Sequence, residues 1–363
     1  MKFVLFYHSL VSDWNHGNAH FLRGIATELL KLGHDVAIYE PRDGWSLSNL
    51  IAQNGSGSVR EFQNRFPLLH SIGYELDGLD LDCTLSDADV VIVHEWNDPE
   101  LVRRIGEHRA EAGSYKLFFH DTHHRAVTAR ADLHQYDLSH YSGVLAYGNV
   151  IRDIYVQSGW AWRAWTWHEA ADTNLFRRGL RRDFDGDVVW IGNWGDDERA
   201  EELREFFVEP VKTLGLRAKV FGVRYPDHAL DLLRNAGISY GGWLPNYRVP
   251  EVFARFKFTI HVPRRPYRDL LPGIPTIRPF EALACGIPLV CSPWRDTENL
   301  FELGRDFLLA ANGAEMKKHV RALLADKKMA RDLAEHGLQT IHTRHTCAHR
   351  IEELLSIVRE VNA

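Results

Sequence analysis

The sequence predicts an α/β protein made of two doubly wound, parallel-sheet halves. Three observations predict it. Short, nearly continuous apolar runs alternate with stretches of helical periodicity, the pattern of strands buried on both faces of a parallel sheet. That alternation restarts midway, at Asp187–Gly192. The chain of 363 residues is also longer than one hydrophobic core usually organises.

Lys2–Tyr7 reads as the first buried strand. Phe21, Leu22, Ile25, Ala26, Leu29 and Leu30 then recur at helical spacing, and Gly33 closes that helix. His34–Tyr39 is the next strand, so residues 2–39 form a βαβ unit. Asp89–His94, Lys116–His120 and Gly143–Tyr147 continue the first half. A basic, poorly periodic stretch, Arg177–Arg182, follows; it reads as a solvated linker in preference to a membrane-surface patch. Asp187–Gly192, Arg217–Phe221, Phe258–Val262 and Pro288–Cys291 are the strands of the second half. Ile351, Leu354, Leu355 and Val358 line one face of a last helix, Cys347–Val361. The expected division is 1–168, 169–345 and a C-terminal helix, 346–363, packing back on the first half. Ligands are expected in a cleft at the carboxyl ends of the strands.

Composition narrows the function classes. Hydrophobic residues make up 45% and charged residues 25%, with 14 prolines and no low-complexity run. The chain is therefore neither disordered nor fibrous. A net charge of −6 offers no global attraction to nucleic acid or anionic lipid, so any phosphate must be met by a local site. Cys83, Cys285, Cys291 and Cys347 lack metal-ligand spacing and read as reduced thiols of a cytoplasmic protein. The apolar start, MKFVLFYHSL, is too short for the core of a signal peptide. No stretch approaches the ~20 apolar residues of a membrane span. The expectation is a soluble protein with no nucleic-acid partner and no transmembrane segment; peripheral contact with a membrane stays open.

The densest chemistry lies in Gly273–Val290, which joins a helix carrying Glu281 to a Gly286-Ile287-Pro288 turn and the short strand Leu289–Cys291. This run resembles the donor-site signature of GT-B glycosyltransferases. It looks most like the retaining group 1, or family 4, enzymes and, among them, the spore-maturation-protein-like (CgeB-like) branch with its R-x-F-E-A motif. The resemblance implies two Rossmann-like domains facing across a cleft. It implies transfer of a sugar from a nucleotide diphosphate sugar, a UDP-sugar first of all, to a hydroxyl on a saccharide, lipid-linked or small-molecule acceptor. No metal and no further cofactor are implied.

The resemblance also assigns roles. Glu281 accepts hydrogen bonds from the ribose hydroxyls, and amides near Thr276, Ile277 and Arg278 meet the diphosphate. A helix N-terminus suits that task, since its N–H groups are unpaired and its dipole end is positive. Gly192 and Asn193 resemble the glycine turn after the first donor-domain strand, and Arg199, with Arg278, is expected to neutralise phosphate. Two plainer readings stand beside these: the Glu281 helix as packing, and Arg199 as an exposed residue paired with Glu198, Glu201 or Glu202. His168–Phe176 resembles the linker before that domain. One position departs from the pattern, Gly273, where the retaining enzymes carry a first glutamate, and this leaves the stereochemical outcome open. Arg278 and the basic loop His261–Arg268 are candidates for part of that glutamate's role.

In the first half the main constellation is His120-Asp121-Thr122-His123-His124-Arg125 at a strand end. Its placement resembles the acceptor-side His-Asp pair of many GT-B enzymes, so His120 and Asp121 are the catalytic candidates, with His123 and His124 beside them. An imidazole near neutrality takes or holds a hydroxyl proton. Loop-anchoring histidines and, last, a metal site are the alternatives. Glu95, in His94-Glu95-Trp96-Asn97, and the turn at Gly17 and Asn18 complete the acceptor-side candidates, Asn18 also as a helix cap. Trp160, Trp162, Trp165 and Trp167 read as packing more readily than as a sugar platform. Two rival functions remain: a nucleotide-sugar epimerase or hydrolase, and a non-catalytic nucleotide-sugar-binding protein.

Overall fold

β1 (Lys2–Phe6) is apolar on both faces, with Phe3, Val4, Leu5 and Phe6 buried, and so occupies the inside of a sheet. It pairs in parallel with β2 (Asp35–Pro41) on one side and β4 (Val90–His94) on the other. β3 (Ser71–Tyr74) lies outside β2, while β5 (Lys116–Asp121), β6 (Gly143–Ala146) and β7 (Ala164–Thr166) extend the sheet beyond β4. The seven strands run in the order 3-2-1-4-5-6-7. Helix Ala19–Lys31 buries Phe21, Leu22, Ile25 and Leu29 and ends just before Gly33, whose positive φ of 76° suits a glycine. The C-terminal helix Cys347–Asn362 packs on it and buries Ile351, Leu354 and Val358.

The second sheet repeats the design with β8 (Gly186–Ile191), β9 (Ala218–Phe221), β10 (Ser239–Tyr240), β11 (Phe256–His261), β12 (Leu289–Cys291) and β13 (Leu308–Leu309). All pairs are parallel and the order is 10-9-8-11-12-13. Alternate side chains feed two apolar clusters, one around Val188, Trp190, Phe258 and Val320, the other around Val189, Phe280, Leu283 and Phe307. The computed structural model describes residues 1–111, 113–179, 183–195 and 197–362. Its chain divides into two compact units, Met1–Glu169 with Cys347–Ala363, and Ala170–Thr346. The basic stretch expected as a linker runs into 180–182, outside the described residues. No helix among the described residues is long and apolar enough to cross a membrane.

The strand order reverses about β1 and β4 in the first unit and about β8 and β11 in the second. Helices therefore leave these neighbours toward opposite faces, opening a crevice at their carboxyl ends.

Asn18 precedes helix Ala19–Lys31 but makes no side-chain cap; its backbone is already helical, and its amide donates instead to Glu169 at 3.4 Å. Within the tryptophan run Trp165 and Trp167 are packing, whereas Trp162 is 66% exposed. Trp167 is fully buried and donates to the carbonyl of Arg350 at 2.8 Å, and Trp165 donates to Glu360 at 3.0 Å, so both clamp the C-terminal helix.

Candidate active site

At the carboxyl end of β8, Gly192 donates to the carbonyl of Phe221 at 2.9 Å. A side chain there would press within 2.7 Å of the Trp190 ring, so the turn requires glycine. Asn193 holds the neighbouring loop by accepting from the amide of Val223 at 3.0 Å. Arg199 is buried rather than exposed, and it does not pair with Glu198, Glu201 or Glu202. Its guanidinium donates to the carbonyls of Asn193 at 2.6 Å and Val262 at 3.1 Å and lies 5.1 Å from the Trp190 ring centroid. Its Nε has no partner among the described residues. Burial, with like charge from Arg264, pulls the group down to about 9, still a cation at neutral pH.

The other cations of this edge are already matched. Arg264 pairs with Glu198 at 3.1 Å, and Glu202 accepts from Arg265 at 2.9 Å and Arg268 at 3.0 Å. The basic loop is thus largely neutralised, and among the described residues Arg199 is the buried cation bound only to carbonyls. Next to it, His261 ends β11; burial, Arg199 and Arg278 hold it down to about 3, so it is neutral. His261 Nε2 lies 3.4 Å from the hydroxyl of Thr276, the residue preceding helix Ile277–Ala284. Thr276 makes no side-chain cap, so the first amides of that helix have no side-chain acceptor among the described residues.

Glu281 is fully buried on the same helix. One carboxylate oxygen accepts from Arg278, one turn earlier, and the other from Asn246 at 2.6 Å. Gly273 has a φ of +91°, and a Cβ there would lie 2.6 Å from Glu298 Cγ and 2.7 Å from Thr297 Oγ1. A glutamate at this position would be strained by both the backbone and these neighbours.

In the first unit, β4 and β5 deliver a buried acid and histidine cluster. His120 has no exposure; its Nδ1 shares a 2.7 Å hydrogen bond with the hydroxyl of Tyr7, and its Nε2 has no partner among the described residues. Burial lowers it to about 3. Asp121 is also buried, accepting from the Tyr155 hydroxyl at 2.8 Å and the His123 amide at 2.9 Å. The expected catalytic pair therefore lies beneath the surface in this structure. Glu95 is buried and ion-paired with Arg125, and it and Asp121 are both pushed up by burial. His124 anchors its own helix through Thr128 at 2.8 Å. His123 is half-buried, its ring 5.1 Å from that of Trp96. Gly17 is exposed and Asn18 buried. Among the described residues no group of three or more His, Cys, Asp or Glu side chains is arranged to hold a metal ion.

Two doubly wound parallel sheets with these carboxyl-edge sites define a GT-B fold. Residues 199–356 match the sequence model of a family described as glycosyl transferase-like. Solved structures agree in fold along the whole chain. A sucrose-phosphate synthase from Thermosynechococcus elongatus superposes with a TM-score of 0.70 at 13% identity, covering 99% of each chain. HepE from Anabaena, solved with UDP and glucose, gives 0.63 at 14% identity over 98% of this chain and 99% of that one. The T4 phage BGT, in complex with its UDP-glucose substrate, gives 0.62 at 13% identity over 100% of both. No curated protein matches the sequence.

Sequence reasoning missed Asn246, the second partner of Glu281, and Tyr7, the partner of His120. It also missed His8 and Trp45 as a pair with Trp96. The available signal was positional: His8 follows the first strand and Trp45 follows the turn after the second.

Proposed function

We propose that the protein is a glycosyltransferase moving a sugar from a UDP-sugar to a hydroxyl-bearing acceptor. The observation that carries this reading is Arg199: a buried cation without a carboxylate partner among the described residues, beside a helix N-terminus without a side-chain cap. Such a pair lacks an anion, and a diphosphate supplies it. The diphosphate meets Arg199 and the amides of Ile277 and Arg278; the next residue, Pro279, has no N–H to offer. Arg278 turns from Glu281 to phosphate, which frees the carboxylate for the ribose hydroxyls. As the bond between sugar and diphosphate breaks, its electron pair passes to the phosphate oxygen, the acceptor hydroxyl oxygen bonds to the vacated sugar carbon and its proton passes to the released diphosphate, while the two guanidinium groups offset the growing charge.

In the first unit, His120 and Asp121 act as positioning residues beneath the acceptor surface, through Tyr7 and through the His123 loop. Arg199, Arg278 and the helix dipole support donor binding without a metal, and the family resemblance supports retention. The four cysteines form no disulfide among the described residues, and three are buried, which supports a cytoplasmic location. The test is thermal unfolding with UDP, UDP-sugars, ADP and GDP. Saturating UDP should add ~2–4 kcal/mol of stability. No shift with any nucleotide would refute the reading.

A further inference from the structure

Three neighbouring strands, in the spatial order β2, β1, β4, each release an aromatic side chain at the carboxyl edge of the first sheet. Trp45 opens the helix Trp45–Asn54 after β2, His8 follows β1, and Trp96 follows β4. The His8 ring lies between the indoles, 6.4 Å from Trp45 and 6.3 Å from Trp96 by centroids. Both tryptophans are unusually open for their size, 47% and 43% exposed. They are nevertheless fixed. Trp45 meets Trp14 edge-on at 5.0 Å, and Trp96 lies 4.3 Å under the Arg125 guanidinium, which Glu95 holds in turn.

His8 is the polar centre of this row. It is half-buried, packs edge-on against His16 at 5.0 Å, and makes no side-chain hydrogen bond among the described residues. Burial holds it down to about 4, so the ring is neutral and offers one donor and one acceptor. Its two nitrogens stand ready for a ligand between two preorganised apolar faces, beside the β1–β4 reversal where such sheets bind.

We propose that Trp45, His8 and Trp96 form a carbohydrate-binding site, and that the acceptor is a neutral saccharide. The class follows from the alternation. A pyranose ring presents C–H faces that suit indole and a rim of hydroxyls that suits an imidazole. A flat arene would cover the indoles and leave His8 unsatisfied. A nucleic acid would need cations for its phosphates, but Arg125 is already bonded to Glu95 and the chain carries a net charge of −6. This assignment names the acceptor within the proposed transferase reading and rests on it for the word acceptor, though not for the binding itself.

The test is calorimetric titration of the full chain, with and without UDP, using methyl glucosides, galactosides and mannosides, maltose, cellobiose and lactose as probes. At least one probe should bind. Trp45→Ala and Trp96→Ala should each weaken it about tenfold or more, and His8→Gln less, while UDP affinity stays within about twofold. Trp96→Phe, which keeps an aromatic face, should retain most of the binding. Saccharide binding through these residues in a protein that ignores UDP would support this site and sink the transferase. Absence of binding by every probe would overturn the site. So would equal binding by the alanine variants, or tighter binding of p-nitrophenol or a single-stranded oligonucleotide than of any saccharide.

Discussion

The Nη2 of Arg199 donates to the carbonyl of Asn193 at 2.6 Å, tying a buried cation to the glycine turn that follows β8. Burying a guanidinium without a carboxylate is costly, and an anion arriving at the site relieves that cost. Arg199→Met should therefore lower UDP affinity by about 100-fold, in line with ~3 kcal/mol for a charge-assisted contact. Without nucleotide the variant should unfold within a few degrees of the parent, since the lost carbonyl bonds are offset by removal of the buried charge. Titration and thermal unfolding measure both. Unchanged UDP affinity would remove Arg199 from the site.

Gly273 and Glu298 share one space. With φ at +91° and a Cβ that would stand 2.6 Å from Glu298 Cγ, Gly273→Ala should cost ~1–3 kcal/mol. Gly273→Glu should cost at least as much and should not raise transfer activity. A denaturation midpoint equal to the parent's for Gly273→Glu would show that the backbone does not dictate glycine here.

Acid should unfold the protein through its buried histidines. His8 is held to about 4, His120 and His261 to about 3, and His16 and His94 well below the usual value, each chiefly by burial. Each folded-state value lies below the unfolded 6.5, so the unfolded chain binds more protons between the two. The stability these imidazoles contribute is therefore complete above about pH 6.5 and falls as the pH drops from there toward 4; the raised carboxyls of Glu95 and Asp121 work in the opposite sense, and the five histidines outnumber them. A shift of one pH unit is worth ~1.4 kcal/mol per group, so the set accounts for several kcal/mol. Urea midpoints measured from pH 7.5 to 4.5 should fall steadily, and His120→Gln should flatten the slope. A flat profile for the parent would contradict the burial of neutral imidazoles.

The central strands were legible because they are buried on both faces. Val90–His94 and Gly186–Ile191 carry unbroken apolar runs that few other elements could use. The four strands that sequence reasoning did not find, β3, β7, β10 and β13, are the outer strands of the two sheets. Ser71–Tyr74 and Ser239–Tyr240 are partly or wholly exposed and too short to show an apolar pattern. The second-unit site was legible where residues lie close in sequence, as Thr276, Arg278 and Glu281 do. Asn246 was hidden because it meets Glu281 across 35 positions. His120 could be placed at a strand end, but its depth beneath Tyr7 and Trp167 is set by tertiary packing that no local pattern encodes.

The most direct measurement is product analysis by mass spectrometry after incubation of the full chain with a UDP-sugar, with and without a neutral saccharide. Glycosyl transfer should yield UDP and a new glycoside one sugar larger, in equal amounts and only when the saccharide is present. Release of UDP with free sugar at the same rate in both reactions would make the protein a hydrolase. Recovery of the donor unchanged with every saccharide, despite tight UDP binding, would make it a nucleotide-sugar binder without transferase activity.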